Sequence, residues 1–125
     1  MQGVRTDQNS IKSHPKSSFY FWNGSMMYVG DKIDTSAHQQ HVTHIIIGLN
    51  RSFQLHIHDQ ICRCRLAIIA ADVSHRFLGS NDWHTVIKLD PQSEVSRRLA
   101  AKHLKGHDFR ILDISLVEEF VSELH

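Results

Sequence analysis

No sign of charge dominates this chain of 125 residues: 14 lysines and arginines meet 13 aspartates and glutamates, for a formal net charge of +1. The composition therefore carries no electrostatic footprint for nucleic acid or an anionic membrane. No apolar run approaches the roughly 18 residues needed to span a bilayer, and the opening Met1-Gln2-Gly3-Val4-Arg5 lacks the apolar block of a signal peptide. A cytoplasmic protein with no membrane partner and no direct nucleic acid contact is expected. Cysteine is scarce, with only Cys62 and Cys64. Two apart on a strand, they share a face but make an awkward disulfide, so reduced, buried thiols are expected. No paired carboxylates stand beside the histidines, and no serine or cysteine has an obvious positioned base; catalysis, if any, would have to rest on a metal.

Histidine, by contrast, is abundant, at 11 residues. Several fall in one stretch, Ala37-His38-Gln39-Gln40-His41-Val42-Thr43-His44-Ile45-Ile46-Ile47-Gly48-Leu49-Asn50, whose β-branched run ended by Gly-Leu-Asn reads as a buried strand followed by a turn. Side chains alternate faces along a strand. His38, Gln40, Val42, His44 and Ile46 thus share one face, while His41, Thr43, Ile45 and Ile47 share the other. Polar residues leading into an apolar run belong at the mouth of a core, which is where a small barrel keeps a ligand.

Residues 1–17 are polar and without apolar periodicity, and are expected to form a flexible arm. Phe19-Tyr20-Phe21-Trp22, Asn23-Gly24 and Ser25-Met26-Met27-Tyr28-Val29 have the form of a β-hairpin with a type I′ turn. Phe53-Gln54-Leu55-His56-Ile57-His58 alternates cleanly, with the polar set expected at solvent and a turn at Asp59-Gln60. Ile61 to Ile69 reads as one further strand. Val73-Ser74-His75-Arg76-Phe77 enters another with His75 at its start, and Trp83 to Leu89 is the last before the pattern changes. Seven or eight short strands separated by turns argue a sandwich or barrel.

At Asp90-Pro91 the apolar period lengthens to that of a helix, with Asp90 as N-cap, Pro91 in the first turn, and Val95, Leu99 and Leu104 facing the barrel. Gly106 closes it. A second helix follows Asp113, another N-cap candidate. Its stripe of Ile114, Val117, Val121 and Leu124, widened by Leu116 and Phe120, is broader than one edge of a small barrel readily covers. Dimerisation through Ile114, Val117, Phe120, Val121 and Leu124 is the expectation, giving a homodimer; folding back on the barrel is the alternative. The division expected is an arm at 1–17, a barrel at 18–90 and a C-terminal helical segment at 91–125 that carries dimerisation or linkage.

The pattern His38-x-Gln40-x-x-x-His44, followed by a loop entering a strand at His75, resembles the two motifs of cupins. It departs from them in having Gln40 at the second histidine and His44 at the glutamate. More narrowly, residues 25 to 105 resemble the N-terminal effector-sensing domain of AraC-type transcription regulators. The likeness rests on a His-rich strand ending in Gly48-Leu49, then Phe53-Gln54-Leu55, Cys64-Arg65-Leu66-Ala67, Val73-Ser74-His75-Arg76 and Leu89-Asp90-Pro91. The motifs are short, and their order and spacing carry the likeness. The resemblance implies a mainly β, cupin-like double-stranded β-helix, or jelly-roll barrel, with one or two C-terminal α-helices. It implies that His38, Gln40, His44 and His75 gather at the mouth to bind a small-molecule effector, with Trp22 and Trp83 candidates for an apolar lining. His38, His44 and His75 would be the ligands if one transition metal, zinc, nickel or iron, is bound. The implied function is a sensor signalling through its C-terminal helices to a DNA-binding domain absent from these residues; the alternative is a free-standing metal-dependent cupin enzyme, an oxygenase or isomerase.

Overall fold

The computed structural model describes residues 17–22, 25–30, 41–78 and 83–124. Nine strands lie among them: β1 (Ser17–Trp22), β2 (Ser25–Gly30), β3 (Thr43–Gly48), β4 (Phe53–Ile57), β5 (Gln60–Cys64), β6 (Leu66–Ile69), β7 (Arg76–Leu78), β8 (His84–Leu89) and β9 (Phe109–Ile111). They form a six-stranded sheet, β1-β2-β8-β3-β6-β9, facing a three-stranded sheet, β5-β4-β7. Every pairing is antiparallel. Trp22 pairs with Ser25, so the hairpin closes over the two residues expected for its turn; Asn23 and Gly24 themselves lie outside the described residues.

The unbroken burial of β3 has a simple cause. Antiparallel strands usually wet one face, but this sheet is covered on both sides. Ile46, Ala67, Ile69 and Val86 pack between the sheets against Phe53, Leu55, Ile57, Cys64 and Phe77. Ile45, Ile47, Leu66, Ile68, Ile87 and Leu89 face the other way, under Leu99, Leu104 and Phe120 of the C-terminal helices. The stretch expected as one strand, Ile61 to Ile69, is two strands in different sheets. Arg65 marks the crossing, donating from Nε to the Gly48 carbonyl at 3.1 Å and from Nη2 to that of Leu49 at 2.6 Å.

Helix α1 (Glu94–Leu99) is capped by Ser93, whose hydroxyl accepts from the Ser96 N–H, and not by the expected Asp90, whose carboxylate accepts from Gln92 N. Asp90 builds the turn that delivers the cap. The helix widens into a π turn over Ala100–Leu104 and stops at Lys105, left-handed at φ 51, with Gly106 at φ 85 beyond it. The C-terminal segment is not wholly helical, because β9 pairs with β6. After it Asp113 caps a 3-10 turn, Ile114–Leu116, by accepting from Ser115 N, and α2 (Val117–Glu123) follows.

The expected apolar stripe is largely spent within the chain. Phe120 is 0% exposed inside the chain's own core, which corrects its expected place on a surface offered to a second copy. Ile114, Leu116, Val117 and Leu124 pack half-buried around it, while Val121 is 45% exposed. Ion pairs tie α2 to the preceding helix and its π turn, Arg98 Nε to Glu123 Oε1 at 3.0 Å and Lys102 Nζ to Glu119 Oε2 at 3.3 Å, and His103 Nε2 lies 3.0 Å from the same Glu119 oxygen. Among the described residues no helix is long and apolar enough to cross a membrane.

Candidate functional site

Alternation on β3 and β8 places the polar groups of one barrel end. Thr43 and His44 open β3 and face opposite ways. Thr43 Oγ1 accepts from the Ser96 hydroxyl at 3.0 Å, on the helix side. His44 shares the inter-sheet face with Ile46 and meets His75, which enters β7 in the opposite sheet; the ring centroids are 4.7 Å apart and the planes nearly perpendicular at 76°. Both rings are almost fully buried, at 3% and 4%. His75 Nδ1 donates to the Val73 carbonyl at 2.9 Å. A carbonyl only accepts, so that nitrogen carries a proton, which leaves the lone pair on Nε2 whenever the ring is neutral. A fixed tautomer of this kind is how proteins orient an imidazole toward a ligand or a metal.

Of the residues expected to gather, His44 and His75 are brought together. His38 and Gln40 lie outside the described residues, and the described strand begins only at Thr43. Trp22 ends β1 at this end of the sheet, but its side chain is likewise outside what is described. Trp83 is not brought to the group. His44 pairs with Lys88 and Gly48 with His84, so Trp83, one residue before His84, stands at the far end of the strand pair, about 17 Å away at the usual rise per residue. There it is 41% exposed, and its carbonyl accepts from Leu49 N at 3.0 Å. The antiparallel register decides this.

Two nitrogens do not complete a metal site. Among the described residues there is no group of three histidine, cysteine or acidic side chains placed to hold an ion. The cysteines are free. Cys64 is buried, and desolvation, with Cys62 beside it, pushes its thiol up to about 12. Such a thiol stays protonated and inert at neutral pH.

Beside the mouth, and sharing His75 with it, lies an open cleft of about 840 Å³ lined also by His56, His58, Asp72, Arg76 and Asp108. His58, expected on the polar face of β4, sits instead in the β4–β5 turn, where His58 (φ 51) and Asp59 (φ 59) take the two left-handed positions. Its Nε2 is 2.9 Å from Asp108 Oδ2, which ties this turn to the entry of β9. His41 makes a similar exposed pair with Asp72 at 2.9 Å. Nε2 of His56 is buried without a hydrogen-bond partner.

Two polar residues of the barrel interior escape pattern reading. His84 is fully buried, its ring 5.1 Å from Phe77 and 6.2 Å from Phe53. Lys88 lies directly opposite His44 on the inter-sheet face. Burial alone pulls its ammonium below the ordinary lysine value. The alternation of Val86 and Lys88 was the available signal, but which face of β8 turns inward depends on where the second sheet lies.

Among solved structures, the chain is similar to a cupin 2 conserved barrel domain protein from Salinispora arenicola CNS-205, at 10% identity and a TM-score of 0.51 over 78% of this chain and 100% of that one. It is similar to protein NMB1881 from Neisseria meningitidis, at 17% identity and a TM-score of 0.50 over 64% of this chain and 89% of that one. A third likeness is to AerE from Microcystis aeruginosa, at 21% identity and a TM-score of 0.50 over 64% of this chain and 44% of that one. No family model matches the sequence, and no curated protein matches it. At these identities the likeness concerns the fold, which is the mainly β cupin barrel with short C-terminal helices.

Proposed function

We propose that this cupin-fold domain is a ligand sensor of the AraC type, taking a small organic effector at the barrel end around His44 and His75 and passing the change to its C-terminal helices. The observation that carries the reading is the double duty of β3. His44 faces the mouth, while its neighbour Thr43 is hydrogen-bonded to Ser96 of α1, so one strand touches both the effector and the element that would report it. A shift of β3 that improves contact with ligand alters the helix contact in the same step, which is the differential interaction that coupling requires. The order and spacing of the motifs between residues 25 and 105 support the same assignment. The DNA-binding part of such a regulator would lie in another domain.

An NMR titration with a library of small organic acids, amides and alcohols tests this. Expected are shifts at His44 and His75 that are accompanied by shifts at Ser96 and in α2, with no chemical change in the ligand. Ligands that perturb neither the mouth nor the helices overturn the sensor. Turnover of a ligand in the presence of iron(II), zinc or nickel would instead establish the metal-dependent cupin enzyme.

A further inference from the structure

Lys88 is a lysine pointing between the two sheets of a barrel. On β8 it alternates with His84, whose ring packs on Phe53 and Phe77, and with Val86, which belongs to the inter-sheet core. Its partners across the strands are His44 on β3 and Met26 on β2, and the same row continues to Phe21 on β1 and Ile69 on β6. The row contains no carboxylate. Among the described residues Lys88 is in no ion pair, and it is half-buried.

Removing water from an ammonium without supplying a counter-charge costs stability, and the cost shows in the ease with which such a group gives up its proton. A chain that needed only to fill this position would do better with methionine or leucine. A half-buried cation directly across the strand pair from His44, in a row without a carboxylate, is a half-finished ion pair. Its other half would gain more there than in water, because the local dielectric is lower.

We propose that the ligand of this mouth is an organic acid whose carboxylate pairs with Lys88, with His44 and His75 as neighbouring hydrogen-bonding groups. The inference rests on the reading of the mouth as a small-molecule site and adds the charge of what enters it. Met26 and Ile69 flank the polar pair along the row and would meet the apolar body of the acid.

The test uses matched acid and amide pairs with aliphatic and aromatic bodies, benzoate with benzamide and butyrate with butyramide among them, titrated by calorimetry and NMR at constant ionic strength. At least one acid is expected to bind about tenfold or more tightly than its amide, the scale of a partly desolvated charge-assisted contact. Lys88→Met should bring that ratio close to one, and Lys88→Arg should keep it. If Lys88→Met does not fold, Lys88→Gln takes its place. Amides that bind as well as their acids overturn the inference and leave the ligand site standing, as does a preference that survives loss of the ammonium. Silence from acids and amides alike overturns both. Competition by inorganic phosphate without any acid binding marks a simple anion hole and rejects the organic acid.

Discussion

Thr43 and His44 are consecutive residues whose side chains serve opposite sides of one sheet: Thr43 accepts a hydrogen bond from Ser96 of α1, and His44 packs edge-on against His75 of the other sheet. The mouth and the helical cover are therefore one residue apart along the chain. The consequences can be measured on each side.

On the helix side, the Thr43–Ser96 bond is buried, with both residues nearly inaccessible. Thr43→Val leaves the Ser96 hydroxyl without its acceptor and should destabilise by about 1–3 kcal/mol, the cost of a buried polar group left unmet. The double variant Thr43→Val with Ser96→Ala should recover part of that loss. Urea unfolding of the four proteins of this cycle measures the coupling; additive losses would show that the two hydroxyls do not interact.

On the mouth side, His44→Ala should abolish the chemical shift response of His75 to any acid that binds there. His41→Ala should leave it intact, since the His41 side chain is 73% exposed and pairs with Asp72 outside the barrel. Equal losses in both variants would mean that the strand register is shifted by one, which exchanges the faces.

Phe120→Ala should destabilise the chain by about 3–5 kcal/mol, as truncation of a fully buried phenylalanine does. Val121→Glu, next to it but exposed, should change stability by no more than about 0.5 kcal/mol. Sedimentation over a concentration series reads the remaining question. A dimer that Val121→Glu dissociates places a second copy on what is left of the stripe, and a monomer throughout means that α2 serves only its own barrel.

Acid should loosen α2. The carboxyl of Glu123 is held below its ordinary value of 4.5, chiefly by the hydrogen bond from Arg98. A carboxylate depressed in the folded state stabilises fully above its unfolded pKa, and that contribution is lost as pH falls through the lower, folded value. Wild type and Glu123→Gln should thus differ most at neutral pH and converge in acid. Added salt should shrink the difference, because the pair lies at the surface. A gap that persists at low pH would rule out the ion pair as its source.

Much of the fold was legible because strands and helices advertise themselves locally. The Asn23-Gly24 hairpin, the Phe53-Leu55-Ile57 alternation and the Asp113 cap each depend on residues within a few positions of one another, and each pairing or cap is present. Alternation on β3 also separated His44 from Thr43 and Ile45 correctly. Periodicity could equally list the apolar face of α2, since the repeat is a property of the segment alone.

What covers that face was decided by the fold. Phe120 is buried because the six-stranded sheet presents Ile45, Ile47 and Ile87 to it, and no local pattern in α2 contains that sheet. The break at Arg65 was invisible for the same reason: the residues on either side read as one strand, and only the carbonyls of Gly48 and Leu49, brought from another strand, give the guanidinium its place. Trp83 left the candidate site and Lys88 joined it through one fact, the antiparallel register that sets His44 against Lys88 and Gly48 against His84. A sequence determines which residues can share a face. Which faces meet, and at which end, follows from long-range pairing, where burial of the whole core selects one register over its neighbours.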